Sequence, residues 1–237
     1  MIRPSGMSGH RHPEAEPNRD AFFPRDVRAF IVENLHLKPA PGLQEIVLYT
    51  AHPGSGLSRL RTSDAEDAPP YWAYNWAGGT LLARHILNYP DIVSGRRVLD
   101  LGAGSGIVGI VARKCGASLV IAAEIDTNAI AAIGLNAAAN GVAIEVTSAD
   151  VLAGSPPDVD VILAGDVFYN PQLAGRVLPF LAASRKAGVD VLIGDPRRQS
   201  LPLAALKLVA EYAVPDFGDG STGQGAIGGV FTLADAR

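Results

Sequence analysis

Residues 98–109 read VLDLGAGSGIVG, an apolar run followed by closely spaced glycines and a second apolar run. The pattern predicts a buried strand, a tight turn and the start of a helix. Gly102, Gly104 and Gly106 permit backbone angles and close approaches that larger residues resist. A glycine turn between a strand and a helix is typical of sites that hold a nucleotide or a nucleoside.

Downstream of this turn, segments with the period of a strand alternate with segments with the period of a helix. The predicted strands cover residues 98–101, 119–124, 144–148, 159–165 and 189–194, and the predicted helices cover residues 107–115, 128–140 and 172–185. Such alternation favours a mostly parallel sheet with helices on both faces. Residues 201–214 are predicted to be a helix that runs into a strand, and residues 228–233 a final strand. Because no helix separates these two strands, we predict a Rossmann-like, doubly wound α/β sheet of seven strands with an antiparallel C-terminal edge hairpin.

Upstream of the turn the pattern is less regular. The predicted elements are a helix at residues 20–33, a strand at 44–50, a loop at 52–70 and a helix over much of 69–90. In that last helix Trp72 and Trp76 are four residues apart, which predicts that they share one face. The predicted organisation is a flexible tail at residues 1–19 and a single domain at residues 20–237, in which residues 20–96 precede a core at residues 97–237.

The composition argues against several classes of protein. A net charge of −4 over 237 residues disfavours binding to nucleic acid. Cys115 is the single cysteine, so no internal disulfide forms, and the histidines show no metal-ligand spacing. Apolar runs are interrupted well before the roughly 18 residues that a membrane span needs. We therefore expect a cytoplasmic protein with no membrane segment and no metal.

Two cofactors compete for the glycine turn. Residues 104–109 fit the dinucleotide pattern G-x-G-x-x-G, which indicates NAD. That frame begins two residues after Gly102, the glycine at which the strand ends. The frame that starts at Gly102 does not fit the pattern, because Ile107 stands at the sixth position, where the pattern has glycine. Asp100 would repel a pyrophosphate, whereas it would attract the sulfonium and ammonium groups of S-adenosylmethionine. We favour S-adenosylmethionine, with a NAD-dependent oxidoreductase or a non-catalytic nucleotide-binding module as alternatives.

Acidic residues follow the next two strands. Glu124 ends the strand after the turn, where a carboxylate accepts hydrogen bonds from both ribose hydroxyls, and Ile125 is expected to lie against the adenine. Asp150 is expected to accept a hydrogen bond from the adenine amine, with Val151 packed on the ring. Taken alone, Asp150 is more typical of a loop or a helix cap.

Three further blocks carry a family resemblance. Residues 71–79 read YWAYNWAGG, residues 166–169 read DVFY after the fourth strand, and residues 192–196 read LIGDP. From about residue 71 the chain resembles the seven-β-strand (class I) methyltransferases, and these blocks resemble the protein-lysine methyltransferases that act on the β subunit of electron transfer flavoprotein. The resemblance implies S-adenosylmethionine as cofactor and lysine side chains of that β subunit as substrate. A ribosomal protein or a small amine is the alternative substrate.

The resemblance also implies roles for single residues. Asp166 and Tyr169 are the expected catalytic residues, because Asp166 would accept hydrogen bonds from the incoming amine and Tyr169 would form an aromatic wall. Trp76 would close over the cofactor. A helix cap or a charge partner is the alternative for Asp166, and simple packing is the alternative for Tyr169 and Trp76. Asp195 is either structural or on the substrate side.

Overall fold

The computed structural model describes residues 26–60, 69–155, 158–214 and 226–234. The predicted tail at residues 1–19 lies outside these ranges. Within them, every helix is too short or too polar to cross a membrane.

A short helix opens the described part of the chain. Helix α1 (Val27–Asn34) begins at Asp26, whose carboxylate accepts hydrogen bonds from the N–H groups of Arg28 and Ala29. Residues 20–25 of the helix predicted at residues 20–33 lie outside the described ranges, and the described part of that segment is helical from Val27.

An antiparallel hairpin follows α1. Strands β1 (His36–Ala40) and β2 (Leu43–Thr50) pair around a turn in which Gly42 has a φ of 73°. The strand predicted at residues 44–50 is confirmed, whereas β1 was not predicted. All of β1 except Ala40 is exposed and the strand contains a proline, so it lacks the alternation of apolar and polar residues that marks a strand.

The tryptophan block is not one helix, and the prediction that Trp72 and Trp76 share a helical face is wrong. Residues Tyr71–Ala73 form a single 3₁₀ turn, and helix α2 (Ala77–Asn88) begins only after Trp76, whose backbone is extended. Both tryptophans line the cleft described below, but Trp72 is buried in an apolar cluster with residues of α1, whereas Trp76 is only half-buried. The apolar residues of this block therefore do not share one helical face.

The remaining strands form one sheet. They are β3 (Arg97–Leu101), β4 (Leu119–Ala123), β5 (Glu145–Thr147), β6 (Val161–Gly165), β7 (Asp190–Asp195), β8 (Leu206–Val214) and β9 (Ala226–Leu233), and the connecting helices are α3 (Ile107–Lys114), α4 (Thr127–Ala139) and α5 (Pro171–Lys186). The strand order is β5-β4-β3-β6-β7-β9-β8. The strands from β5 to β7 run parallel, and β9 runs antiparallel to both β7 and β8. The predicted seven-stranded fold with its antiparallel edge is confirmed.

One prediction about the edge hairpin is wrong. The helix expected at the start of residues 201–214 is only the 3₁₀ turn Leu203–Ala205, and β8 occupies the rest of the segment. Strand β8 pairs with β9 along its whole length apart from an irregularity between Leu208 and Ala210. Pairing with the following strand, β9, has overridden a local pattern that suited a helix.

Apolar layers cover both faces of the sheet. On one face α2 and α3 pack around Leu81, Leu82 and Ile110, which are fully buried. On the other face α5 packs around Phe168 and Leu181, which are also fully buried. Burying a side chain of this size stabilises the fold by roughly 1.5–3 kcal/mol relative to exposing it. Because the strands from β5 to β7 run parallel, their carboxyl ends lie at one edge of the sheet.

Candidate active site

A cleft of about 700 Å³ opens at that edge, beyond the carboxyl ends of β3, β4, β6 and β7. The strand order reverses between β3 and β6, which is the point where open α/β sheets bind their ligands. Among the predicted site residues, those that line the cleft are Trp76, Asp100, Gly102, Gly104, Glu124, Ile125, Asp150, Val151, Asp166 and Tyr169. Gly106 is not part of the lining.

The glycine turn forms one wall of the cleft. Gly102, Gly104 and Gly106 have φ angles of 65°, 55° and 80°, a region that side chains disfavour. Gly106 caps α3, and a Cβ there would lie 3.3 Å from the side chain of Ile133. Gly106 therefore shapes the turn from behind, while the other two glycines present bare backbone to the cleft.

Asp100 lies beneath the turn. Its carboxylate accepts a hydrogen bond of 2.8 Å from the N–H of Gly109 in the first turn of α3. Burial raises the pKa of Asp100 to about 7, the charge of Glu124 adds to the rise, and the Gly109 hydrogen bond opposes it. A cation bound in the cleft would favour the ionised form of this carboxylate.

Glu124 connects the end of β4 to the turn. One carboxylate oxygen accepts a hydrogen bond of 2.9 Å from the N–H of Gly104, and the other accepts from the N–H groups of Ile125 and Asp126 at 2.8 and 3.0 Å. These bonds fix the carboxylate at the cleft wall. The side chain of Ile125 is 72% exposed beside it and offers an apolar surface to a ligand.

Asp150 has partners within the protein. One oxygen accepts a hydrogen bond of 3.2 Å from the N–H of Leu152, and the other pairs with the guanidinium of Arg176. The cap role that the sequence also allowed is therefore present. Asp150 and Val151 still border the cleft.

Asp166 follows β6 in a left-handed backbone conformation, with a φ of 57°. One oxygen accepts a hydrogen bond of 2.6 Å from the N–H of Gly79 in the first turn of α2, and the other pairs with the guanidinium of Arg198. Burial raises the pKa of Asp166, and the charge of Arg198 together with the Gly79 hydrogen bond opposes the rise. Asp166 is thus both a helix cap and a charge partner at the floor of the cleft.

Glycines on two elements allow this contact. A Cβ on Gly194 of β7 would lie 2.2 Å from the carbonyl oxygen of Gly78, and one on Gly165 of β6 would lie 2.8 Å from the Cα of Gly79. Contacts that short do not occur for real side chains. The first turn of α2 therefore rests directly on the ends of β6 and β7, which brings the Gly79 N–H to Asp166.

Aromatic rings surround the mouth of the cleft. The ring centroid of Tyr71 lies 5.6 Å from that of Tyr169 and 5.5 Å from that of Trp76. The indole N–H of Trp76 donates a hydrogen bond of 2.7 Å to the carbonyl of Tyr71. Tyr71, Tyr74 and Tyr169 are each about half exposed. Such rings suit a cationic or methylated amine.

Sequence reasoning missed two features of the site and left one open. Arg198 lies in the cleft lining and pairs with Asp166, and the N–H of Gly79 binds the same carboxylate. Asp195, which was undecided, is fully buried at the end of β7 and accepts a hydrogen bond from the backbone N–H of Arg198. The LIGDP block, followed by two arginines, was the only signal for Arg198. Among the described residues, no group of three His, Cys, Asp or Glu side chains has the arrangement of a metal site.

Comparison with known proteins gives matches of different extent. Residues 76–173 match the methyltransferase small domain family. The electron transfer flavoprotein beta subunit lysine methyltransferase of Danio rerio is 38% identical over 201 residues, which is 81% of this chain and 77% of that protein. The ribosomal protein L11 methyltransferase of Aeromonas hydrophila subsp. hydrophila is 41% identical over 99 residues, which is 40% of this chain and 32% of that protein. The crystal structure of ribosomal protein L11 methylase from Lactobacillus delbrueckii subsp. bulgaricus aligns with a TM-score of 0.46 at 23% identity, covering 65% of this chain and 78% of that chain.

The fold, the cleft and the domain match define a methyltransferase. The likeness to the Danio rerio protein extends over most of both chains, whereas the likeness to the ribosomal protein methyltransferase of Aeromonas covers less than half of either. The chain belongs to the family of electron transfer flavoprotein beta subunit lysine methyltransferases. The family resemblance predicted from the three sequence blocks is confirmed.

Proposed function

We propose that this protein transfers methyl groups from S-adenosylmethionine to lysine side chains of the β subunit of electron transfer flavoprotein. The observation that carries the proposal is one cleft lined both by a glycine turn with two carboxylates and by the partly buried carboxylate of Asp166 and several aromatic rings. The substrate half rests on the relatives, which are named for that activity. We place the reaction in the cytoplasm, in keeping with a chain that has a single cysteine.

The residues of the cleft fit S-adenosylmethionine. Ionising Asp100 inside the protein costs free energy, and a cationic ligand offsets that cost. The indole N–H of Trp72 is buried beside the cleft and has no hydrogen-bond partner among the described residues, so it is available to an acceptor on a ligand. Gly102 and Gly104 leave open a space that side chains would narrow. When bound, S-adenosylmethionine supplies a methyl group on a cationic sulfur.

Holding the cofactor is the task that we assign to residues on the β3–β4 side of the cleft. Glu124 keeps lone pairs for the ribose hydroxyls while its backbone partners fix its orientation. Ile125 offers its exposed side chain to the adenine, and Asp150 and Val151 line the same cleft. Trp76 closes the mouth.

Receiving the lysine is the task that we assign to Asp166 and Tyr169. A lysine amine must be neutral to attack, and at pH 7 its deprotonation costs roughly 4–5 kcal/mol because its ordinary pKa is about 10.4. The Asp166 carboxylate accepts hydrogen bonds from the amine and directs its lone pair into the cleft. Tyr169, with Tyr71 beside it, excludes water and contacts the cationic product through its ring face.

Calorimetry tests the cofactor half of the proposal. We expect S-adenosylhomocysteine to bind with one site per chain and NAD to give no heat above dilution. Tight binding of NAD would instead support an oxidoreductase and would contradict the proposal.

Competition between two protein substrates tests the proposed identity of the substrate. Purified β subunit and purified ribosomal protein L11 are incubated together with the enzyme and methyl-labelled S-adenosylmethionine. We expect label on lysines of the β subunit and none on L11. Label confined to L11 would contradict the proposed substrate and would indicate methylation of ribosomal protein L11, although the sequence likeness to the L11 methyltransferase is partial.

A further inference from the structure

Three charged side chains meet at the floor of the cleft. Asp166 follows β6, Asp195 ends β7, and Arg198 lies in the turn that follows β7. One guanidinium nitrogen of Arg198 pairs with Oδ1 of Asp166 and lies 3.5 Å from Oδ2 of Asp195. The proposed function assigns a task to Asp166 but none to the other two residues.

The two carboxylate oxygens of Asp195 differ in their hydrogen bonding. Its Oδ1 accepts a hydrogen bond of 2.7 Å from the backbone N–H of Arg198. Its Oδ2 is buried and has no hydrogen-bond partner in the part of the chain that the structure describes. A buried carboxylate oxygen without a partner is costly. Charge-assisted hydrogen bonds have lengths of about 2.7–2.9 Å, so a movement of less than about 1 Å would give Oδ2 the guanidinium as partner.

The cluster is one positive charge short when both carboxylates are ionised. Arg198 is shared between Asp166 and Asp195, while the adjacent Arg197 pairs with Glu211. A lysine side chain reaches the cleft mainly as an ammonium ion and would supply the missing charge. The guanidinium of Arg198 also lies over the ring of Trp76, 5.9 Å from its centroid, a contact that tolerates small movements.

We propose that Arg198 and Asp195 are positioning residues that allow a substrate amine to replace the guanidinium on Asp166. In the structure Arg198 holds Oδ1 of Asp166. When an amine binds there, the guanidinium moves to Oδ2 of Asp195 and Oδ1 accepts from the amine. Oδ2 of Asp166 stays on the Gly79 N–H throughout, so the carboxylate keeps its orientation. The inference rests on the proposed function for the identity of the amine.

A double-mutant cycle on substrate affinity tests the proposal. Asp195→Asn keeps an oxygen for the Arg198 N–H but removes the charge that draws the guanidinium away from Asp166. We expect it to raise KM for the β subunit about tenfold or more while kcat changes much less. In the Arg198→Met background no guanidinium competes with the amine, so the same substitution should change KM less than about threefold. An equal rise of KM in both backgrounds, or no rise in the wild-type background, would overturn the proposal.

The other end of β7 offers a matched control. Arg185 and Asp190 form an ion pair there at 2.8 Å, far from the cleft lining. Arg185→Met, Asp190→Asn and the double variant should leave KM unchanged. S-adenosylhomocysteine affinity shows that each variant is folded.

A measurement on the wild-type protein provides a test that does not depend on activity. The side-chain Nε–H signal of Arg198 is assigned by its loss in Arg198→Lys and is followed by NMR during titration with n-butylammonium in the presence of S-adenosylhomocysteine. We expect the Arg198 signal to shift while that of Arg185 does not, and an unchanged Arg198 signal overturns the proposal. If the Arg198 signal shifts but the protein does not methylate the β subunit, the proposed substrate is wrong and the inference about Arg198 and Asp195 still holds.

Discussion

At the scale of single residues, the two oxygens of Asp166 have different partners. Oδ2 accepts a hydrogen bond from the N–H of Gly79, while Oδ1 pairs with the guanidinium of Arg198. Asparagine tolerates the left-handed backbone of this position and still accepts from Gly79. We therefore expect Asp166→Asn to fold, to bind S-adenosylhomocysteine normally, and to lower the rate of methyl transfer by about 10²–10⁴-fold. Single-turnover kinetics with calorimetry measure both quantities, and an equal loss of cofactor affinity would show that Asp166 does not face the substrate.

A substitution of Glu124 should affect cofactor binding, unlike the substitution of Asp166. Its carboxylate lies on the cofactor side and is fixed by three backbone N–H groups. We expect Glu124→Ala to weaken S-adenosylhomocysteine binding by roughly 1–3 kcal/mol, the range for a lost hydrogen bond to a charged group. Calorimetry measures the change. Glu145→Ala, at an exposed position of β5, is the control and should leave the affinity unchanged.

The raised pKa of Asp100 should make the stability of the protein depend on pH. Burial raises its pKa from 3.8 to about 7, so between these values the folded state holds a proton that the unfolded chain has released. The free energy of unfolding should therefore fall as the pH rises across this window, by up to about 4 kcal/mol, and level off above it. Urea denaturation from pH 5 to 8 should show this fall in the wild type and a smaller fall in Asp100→Asn, because burial also raises the pKa of Asp195 to about 6 and raises the pKa of Asp166.

Asp160 provides the control for that experiment. Arg97 lowers the pKa of Asp160 to about 2, so its contribution is fully present above the pKa of 3.8 in the unfolded chain and is lost only as the pH falls toward 2. Asp160→Asn should shift the stability by the same amount at every pH from 5 to 8. A wild type and an Asp100→Asn variant with parallel pH profiles would contradict the assignment of the effect to Asp100.

At the scale of elements, the position of α2 depends on the glycines beneath it. A Cβ at Gly194 would lie 2.2 Å from the carbonyl oxygen of Gly78, so Gly194→Ala must push the first turn of α2 away from the sheet. We expect it to lower the free energy of unfolding by about 1–3 kcal/mol. It should also lower methyl transfer, because the Gly79 N–H moves away from Asp166.

Gly175 is the matched control on an exposed part of α5. A Cβ there meets nothing within 4 Å, so Gly175→Ala should raise the free energy of unfolding by about 0.5–1 kcal/mol and leave activity unchanged. Urea denaturation measures both variants. A Gly194→Ala variant with wild-type stability and activity would show that α2 does not need this close approach.

The elements from β3 to β7 could be predicted because each is fixed by its own pattern. Buried parallel strands read as short apolar runs, and α3, α4 and α5 lie between them with helical spacing. The elements that were predicted wrongly depend on tertiary contacts rather than on their own pattern. Strand β8 is stabilised by pairing with β9, and the tryptophan block is not one helix because Trp72 packs in the apolar cluster with α1.

At the scale of the whole molecule, the same distinction separates the site residues. Glu124 and Asp166 could be predicted because each directly follows a strand, and the carboxyl ends of parallel strands meet at one edge. Their partners could not. Asp166 is separated by 87 residues from Gly79 and by 32 residues from Arg198, so only the folded chain brings them together.

Tandem mass spectrometry of the β subunit of electron transfer flavoprotein tests the central claim most directly. The purified subunit is incubated with S-adenosylmethionine and either the wild-type protein or Asp166→Asn, and its peptides are then mapped. The wild type should add methyl groups to lysine side chains, and Asp166→Asn should leave the same peptides unmodified over the same time. Unmodified lysines with the wild-type protein, or equal methylation by both proteins, would contradict the account.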